Sequence, residues 1–269
     1  MEQAKIGALR VLVETYYDVQ DQRMRASRRI AQYTESSDAN QAELSEWHDE
    51  VDKRMDKSEA FLKNKVSRIL KTHSLWTSWL VDVKGIGPCL AGGIIAWLNP
   101  HKAAHASSFW KYAGLAVVNG EAERRKRGER IAYNPKLKTM CWKIGESFVK
   151  TGGVYRKQYE RVREQVNAKP CNKVHKDEKG NVISCFDAHK YAKAKRMVTK
   201  LFLAHVWHVW RRLEGLPVDR PWIVVHGGHS ENDIVPPLRD KGIWTINLGY
   251  DGDSQSPVES QQEEASPSH

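Results

Sequence analysis

The chain has 269 residues, with 43 Lys and Arg against 33 Asp and Glu, a formal charge of +10 and a pI near 9.4. A surplus of this size favours polyanionic partners (DNA, RNA or an anionic membrane surface) without choosing among them. The longest apolar run, Leu90 to Leu98, is too short for a transmembrane helix, which needs about 18 residues. The opening Met1-Glu2-Gln3-Ala4-Lys5 lacks the basic-then-apolar layout of a signal peptide, and four cysteines do not make a disulfide framework in a chain this long. The expectation is a cytoplasmic protein with reduced thiols.

Residues 1–33 predict a helix, because Ile6, Leu9, Val13 and Tyr16 recur at spacings of three and four. A polar break follows at Thr34-Glu35-Ser36-Ser37-Asp38. From Gln41 the period resumes with Leu44, Trp47, Val51, Met55, Ser58, Leu62, Val66 and Ile69, alternating threes and fours as in a coiled-coil seam. Residues 1–73 therefore read as an antiparallel coiled-coil hairpin, which could also pair two copies of the chain. Residues 74–118 are dense in apolar and small residues, and residues 119–139 are polar and basic. A helical pattern returns over Pro135–Val166, followed by a polar insertion at 167–187. Ala188–Leu213 is helical, with an apolar stripe of Met197, Leu201, Ala204 and Val206 plus Trp207 and Trp210. Trp222–Val225 and Ile243–Ile246 look like short strands that could pair. Residues 251–269 are rich in Ser, Gln, Glu and Pro and predict a disordered tail. The expected class is mainly α: the coiled-coil hairpin, then a helix-hairpin-helix domain over 74–250 with a small β element near its C-terminus.

The chemistry concentrates in Val83-Lys84-Gly85-Ile86-Gly87-Pro88. Two glycines permit a tight turn and leave no Cβ in the way of a phosphate. Ile86 can be buried to hold the turn shut. Pro88 suits the first position of the following helix, where a missing N–H costs nothing. The turn amides and the helix dipole then face a phosphate oxygen, with Lys84 beside it, while Ala91, Gly92 and Gly93 let the two helices of the hairpin pack closely. Such a contact reads backbone and not base identity. A second phosphate contact is expected at Arg124, Arg125, Lys126, Arg127 and Arg130, with Lys136 and Lys138 following.

Cys171 and His175, then Cys185 and His189, form two pairs of equal spacing in the polar insertion. Thiolate and imidazole in that number suit a tetrahedral structural zinc site. His205 and His208 read as core or interface residues. His226-Gly227-Gly228-His229 with Asp233 forms a polar cluster that lacks a nearby nucleophile. A helix-hairpin-helix glycosylase would need a carboxylate about twenty residues beyond the hairpin, and Val83 to Gly120 contains no Asp or Glu.

Several segments resemble the C-terminal transposase domain of a bacterial insertion-sequence family whose members join a RuvC-like domain, a coiled coil and a serine-bearing domain. They are Lys84-Gly85-Ile86-Gly87-Pro88, Phe109-Trp110-Lys111-Tyr112-Ala113-Gly114-Leu115, Arg127-Gly128-Glu129-Arg130 and the helix from Asn134 to Val149. The stretch from His189 to Trp210, and on to Pro221 through His229, resembles truncated mobile-element and phage relatives. The resemblance implies a duplex-DNA-binding protein related to transposases, with structured RNA as a further partner. The RuvC-like carboxylates have no counterpart in these residues. Where family members place Ser-Gly-Gly after Gly-Leu, this chain has Val117 to Glu123 without a serine; Ser107 and Ser108 lie upstream, as a helix N-cap. No catalytic residue is therefore assigned. The competing expectation is an active transposase that draws missing groups from a partner chain or RNA.

Overall fold

The computed structural model describes residues 2–36, 41–118, 121–122, 127–128, 130–171, 175–176, 181–183, 187–220, 222–228, 230 and 234–243, and these form a mainly helical protein. Two long helices, α1 (Glu2–Ser36) and α2 (Gln41–Leu70), lie side by side. Their cross-contacts run in opposite senses, since Lys5 reaches Thr72, Arg23 reaches Glu59 and Ser27 meets His48. The pair is therefore antiparallel.

The seam between them differs from the expected apolar one. Leu9, Val13, Val66 and Leu70 are buried, but only at the end where α1 and α2 meet the rest of the protein. Further out Trp47 is 58% exposed and Phe61 59%. Arg23 holds the middle of the seam, 2.7 Å from Glu59, 3.2 Å from Asp56 and 3.6 Å from Asp52. Two helices alone cannot enclose every side chain of a heptad seam, so polar contacts occupy the outer stretch and the large apolar groups stay accessible.

The body is built around α8 (Asp187–Leu213). Twenty-seven residues without Gly or Pro let it run unbroken. It stops at Gly215, whose φ is +65°, where Leu216 N–H donates to Arg211 O and Gly215 N–H to Arg212 O, a Schellman closure. Its buried face is Ala194, Val198, Phe202, Val206 and Val209, with Trp207 and Trp210; Met197 is exposed, one position off the expected stripe. Around it pack α3 (Ser74–Ser78), α5 (Ala106–Tyr112), α6 (Pro135–Thr151) and α7 (Val154–Ala168), while α4 (Pro88–Trp97) lies between α6 and the α1–α2 pair. Phe202 is the hub: its ring lies 5.8 Å from Trp79, 5.2 Å from Phe148 and 5.4 Å from Tyr155. Aromatic contacts at those separations add to the area they bury.

Gly152 and Gly153, with φ of +74° and +98°, split the helical stretch expected over Pro135–Val166 into α6 and α7. The strands are three local two-stranded ribbons: β1 (Val117–Val118) with β2 (Glu121–Ala122), β3 (His175–Lys176) with β4 (Val182–Ile183), and β5 (Leu238–Arg239) with β6 (Gly242–Ile243). Trp222–Val225, expected as a strand, is a short helix, α9. The two-residue turn at Asp240-Lys241 pairs adjacent segments at far lower loop-closure cost than joining 222–225 to 243–246. Residues 244–246 and the tail 251–269 lie outside the described residues.

Candidate nucleic-acid interface

The hairpin is formed by α3, a 3-10 turn at Leu80–Asp82, the loop Val83–Gly87 and α4. Ile86 N–H donates to Val83 O at 3.0 Å, closing the loop, and Ile86 is 4% exposed, so it anchors the turn as expected. Gly87 is the N-cap of α4, with φ −78° and ψ 172°, and offers no side chain to the helix; Pro88 occupies the first helical position. The amides of Gly87, Cys89 and Leu90 are therefore left at the N-terminal end of α4, the end that carries partial positive charge.

The two glycines do different work. A Cβ on Gly87 would meet nothing within 4 Å. Gly85 has φ +91°, and its Cβ would stand 2.8 Å from Thr151 Oγ1 and 3.2 Å from both Phe148 and Ser147. Ser147 Oγ–H also donates to Gly85 O at 2.6 Å. Gly85 thus faces α6 and permits the hairpin to dock there; of the pair, Gly87 is the one open to an approaching ligand. Gly92 and Gly93 are likewise turned elsewhere than expected: Gly92 abuts Val13 and Val66 of the long helices, and Gly93 abuts Met140 of α6.

Sequence reasoning missed Asp240. Its carboxylate accepts from Lys84 N–H at 2.8 Å and Val154 N–H at 3.1 Å, while its own N–H donates to Asp82 O at 2.8 Å. Trp79 Nε1–H donates to Leu238 O at 3.1 Å, so the β5–β6 ribbon braces the hairpin from behind. Asp82 lies 2.7 Å from Lys241 Nζ and 3.9 Å from Arg239. The turn chemistry of Arg239-Asp240-Lys241-Gly242 was visible in sequence, but its target over 150 positions away was not. One hairpin amide is consequently satisfied within the protein, and space for an anion lies on the Gly87–Leu90 side.

Of the expected basic contacts, Arg127 and Arg130 are exposed, whereas Arg124, Arg125 and Lys126 lie outside the described residues. Lys136 pairs with Glu14 at 2.7 Å, and Lys138 sits 4.2 Å from the Tyr133 ring centroid. Nearby, Lys200 lies over Trp110 at 4.3 Å, and burial lowers its pKa. Lys195 pairs with Glu146, which also accepts from Tyr191 OH. Burial alone would raise the Glu146 pKa; Lys195 and Tyr191 outweigh it and hold the carboxyl below its ordinary value.

Cys171 Sγ and His189 Nδ1 stand 3.6 Å apart, while Cys185 and the His175 side chain lie outside the described residues. No group of three or more His, Cys, Asp and Glu is arranged for a metal among the described residues. His205 is a core residue: Tyr155 OH lies 2.7 Å from its Nδ1 and Val235 O lies 2.8 Å from its Nε2. A carbonyl only accepts, so Nε2 carries the proton and Nδ1 accepts from Tyr155. Burial lowers the pKa of His205 to about 3 and of His208 to about 4, so both are neutral near pH 7. Burial also pushes the Cys89 and Cys141 thiols up to about 12, which makes them poor nucleophiles. Ser107 and Ser108 lie inside the first turn of α5; the cap position belongs to His105, whose side chain makes no capping bond. His226 to Gly228 are exposed and follow α9, while His229 and Asp233 lie outside the described residues. A pocket of about 300 Å³ near Leu9, Leu70 and Ile95 is mostly apolar and gathers no catalytic groups.

No protein-family model matches the chain, and no curated protein matches it significantly. No helix among the described residues is long and apolar enough to cross a membrane.

Proposed function

We propose that the protein binds duplex DNA by gripping backbone phosphate at the Gly87–Leu90 face of the hairpin, as a relative of the insertion-sequence transposases it resembles. The observation that carries this reading is the uncapped, sterically open N-terminus of α4 at Gly87, with the Lys84 side chain exposed beside it. Amides at a helix start bind phosphate oxygens through direct hydrogen bonds and the helix dipole. The acids nearest the turn are already engaged, Asp82 with Lys241 and Asp240 with two amides. Arg124–Arg127 and Arg130 add non-specific backbone attraction.

The test is fluorescence anisotropy of the full chain with duplex DNA, single-stranded DNA and a structured RNA across a salt series. Duplex binding should weaken linearly in log–log form, by about 0.9 in slope per neutralised phosphate. Lys84→Glu leaves the backbone N–H in place and should reduce affinity on every duplex sequence alike. Absence of duplex binding at low salt, or unchanged affinity in Lys84→Glu, overturns the reading; preference for the RNA would redirect it to that partner.

A second reading concerns assembly. The outer stretch of α1–α2 exposes Trp47 and Phe61, two heptads apart on one helix face, and buries no apolar residue among those described. A second copy laid along that stretch would cover both rings. Light scattering on the eluting protein should then report a dimer that Trp47→Glu with Phe61→Glu converts to monomer; a monomeric wild type refutes it.

A further inference from the structure

We infer that the segment joining α7 to α8 is a zinc-binding knuckle in which Cys171 and His189 are two of four ligands, with Cys185 and His175 supplying the others.

The geometry of the described pair fits a shared ion. A thiolate about 2.3 Å and an imidazole nitrogen about 2.0–2.1 Å from one zinc, at a tetrahedral angle, stand about 3.6 Å from each other. Cys171 Sγ and His189 Nδ1 are 3.6 Å apart, although 18 positions separate them in the chain. The β3–β4 ribbon explains how they meet. His175 pairs with Ile183 and Lys176 with Val182, so the chain leaves α7, turns back and enters α8 beside its point of departure. Cys171 stands at the exit from α7, three residues after Ala168, and His189 stands in the first turn of α8. Cys185 is bracketed in sequence by Ile183 and Asp187, two residues away on either side, and His175 belongs to β3 itself. Both remaining donors are therefore tethered within a few residues of the described pair.

The segment needs such a link. Two-residue strands are far below the size at which a hairpin is stable in water. The stretch from Asn172 to Asn181 has Val174 as its one apolar residue, so it has almost nothing with which to build a core. Two thiolates and two imidazoles form a closed set with no open coordination position, which makes the ion structural. Each cysteine binds as thiolate, releasing its proton to solvent. The ion would fix the end of α7 to the start of α8, the helix around which the body is packed.

The test uses the full chain without an affinity tag, purified without chelator. Metal analysis should give about one zinc per chain, and cobalt(II) exchanged into the protein should show thiolate-to-cobalt charge transfer with tetrahedral visible bands. Alkylation followed by peptide mapping should find Cys171 and Cys185 protected until chelator is added, a readout that needs no variant. Cys171→Ser with Cys185→Ser should lose the metal, and His189→Cys, which keeps four donors, should retain it. Zinc below a tenth of an equivalent together with no cobalt spectrum overturns the proposal. So does metal that persists in the double variant, because the ion would then lie elsewhere. Should the double variant fail to fold, the wild-type alkylation pattern decides: thiols equally reactive with and without chelator refute the site.

Discussion

Replacing Gly85 and Gly87 separately distinguishes packing from binding within one five-residue turn. At Gly85 an alanine must adopt φ near +91°, which costs an L residue roughly 1–2 kcal/mol. Its Cβ also meets Thr151 Oγ1 at 2.8 Å, with Phe148 and Ser147 at 3.2 Å. The Thr151 hydroxyl is tied back to Ser147 O, and Ser147 itself holds Gly85 O, so neither moves away freely. Overpacking of that kind costs roughly 1–3 kcal/mol more. Gly85→Ala should therefore lose about 2–5 kcal/mol of stability, and Gly85→Val should fail to fold. At Gly87 the backbone is extended and the space is open. Alanine there gains roughly 0.4–1 kcal/mol by restricting the unfolded chain and loses a similar amount as a poorer N-cap. Its stability should stay within about 1 kcal/mol of wild type. Gly87→Val, which keeps the fold but sets branched carbon before the α4 amides, should bind duplex at least tenfold more weakly, a change of about 1.4 kcal/mol. Urea unfolding and anisotropy measure the two quantities. Wild-type stability in Gly85→Ala refutes the packing account, and wild-type affinity in folded Gly87→Val refutes the phosphate account.

Acid should destabilise the protein below neutral pH, because His205 and His208 are held neutral with pKa values near 3 and 4 against 6.5 in the unfolded chain. Their contribution is complete above pH 6.5 and is lost as pH falls toward 4; at about 1.4 kcal/mol per unit, each forfeits up to about 2 kcal/mol by pH 5. His205→Gln can still serve both Tyr155 and Val235, so its stability–pH curve should be flatter over that range, and an unchanged curve argues against His205 as a source. Alanine at Arg124, Arg125, Lys126 and Arg127 should weaken binding to all duplexes and make the salt slope shallower by about 0.9 per lost contact; an unaltered slope removes that run from the interface. Supercoiled plasmid incubated with the chain and magnesium should stay unnicked, while a nick or covalent adduct that vanishes in Ser107→Ala or Ser108→Ala would establish an active recombinase.

The elements that were legible in sequence are those fixed by neighbours a few positions away. Pro88 after Gly87 marked the start of α4, and Asn134 before Pro135 is the cap of α6, accepting from Lys136 and Leu137 N–H. Ile86 could be assigned inward because an isolated apolar residue between two glycines has little other use. Contacts between distant segments were not legible. Gly85 was read as a phosphate-facing glycine, since sequence shows that a Cβ is absent but not which surface it would have struck. Met197 and Val198 differ by one position, about 100° of helix, and only the packing of α6 and α7 decides which is covered. Asp240 had no periodicity to announce it, though it holds the hairpin to the start of α7.

The distribution of charge narrows where a polyanion would bind. Residues 1–73 carry thirteen basic and thirteen acidic side chains, and residues 251–269 carry five acidic and no basic ones. Residues 74–250 therefore hold 30 Lys and Arg against 15 Asp and Glu, a surplus larger than that of the whole chain. A neutral pair of long helices gains little from phosphate, and its cations are partly occupied, as Arg23 is among Asp52, Asp56 and Glu59. In the body the opposite holds: Asp82, Glu146 and Asp240 are each matched by an internal partner, which leaves exposed cations such as Lys84, Arg127 and Arg130 to set the surface field. Attraction for a polyanion over a Debye length of about 8 Å at physiological salt depends on that local surplus and not on the chain total. Charge and hairpin geometry thus favour the same part of the molecule, and the α1–α2 pair is suited by its balanced charge and exposed Trp47 and Phe61 to contact with protein.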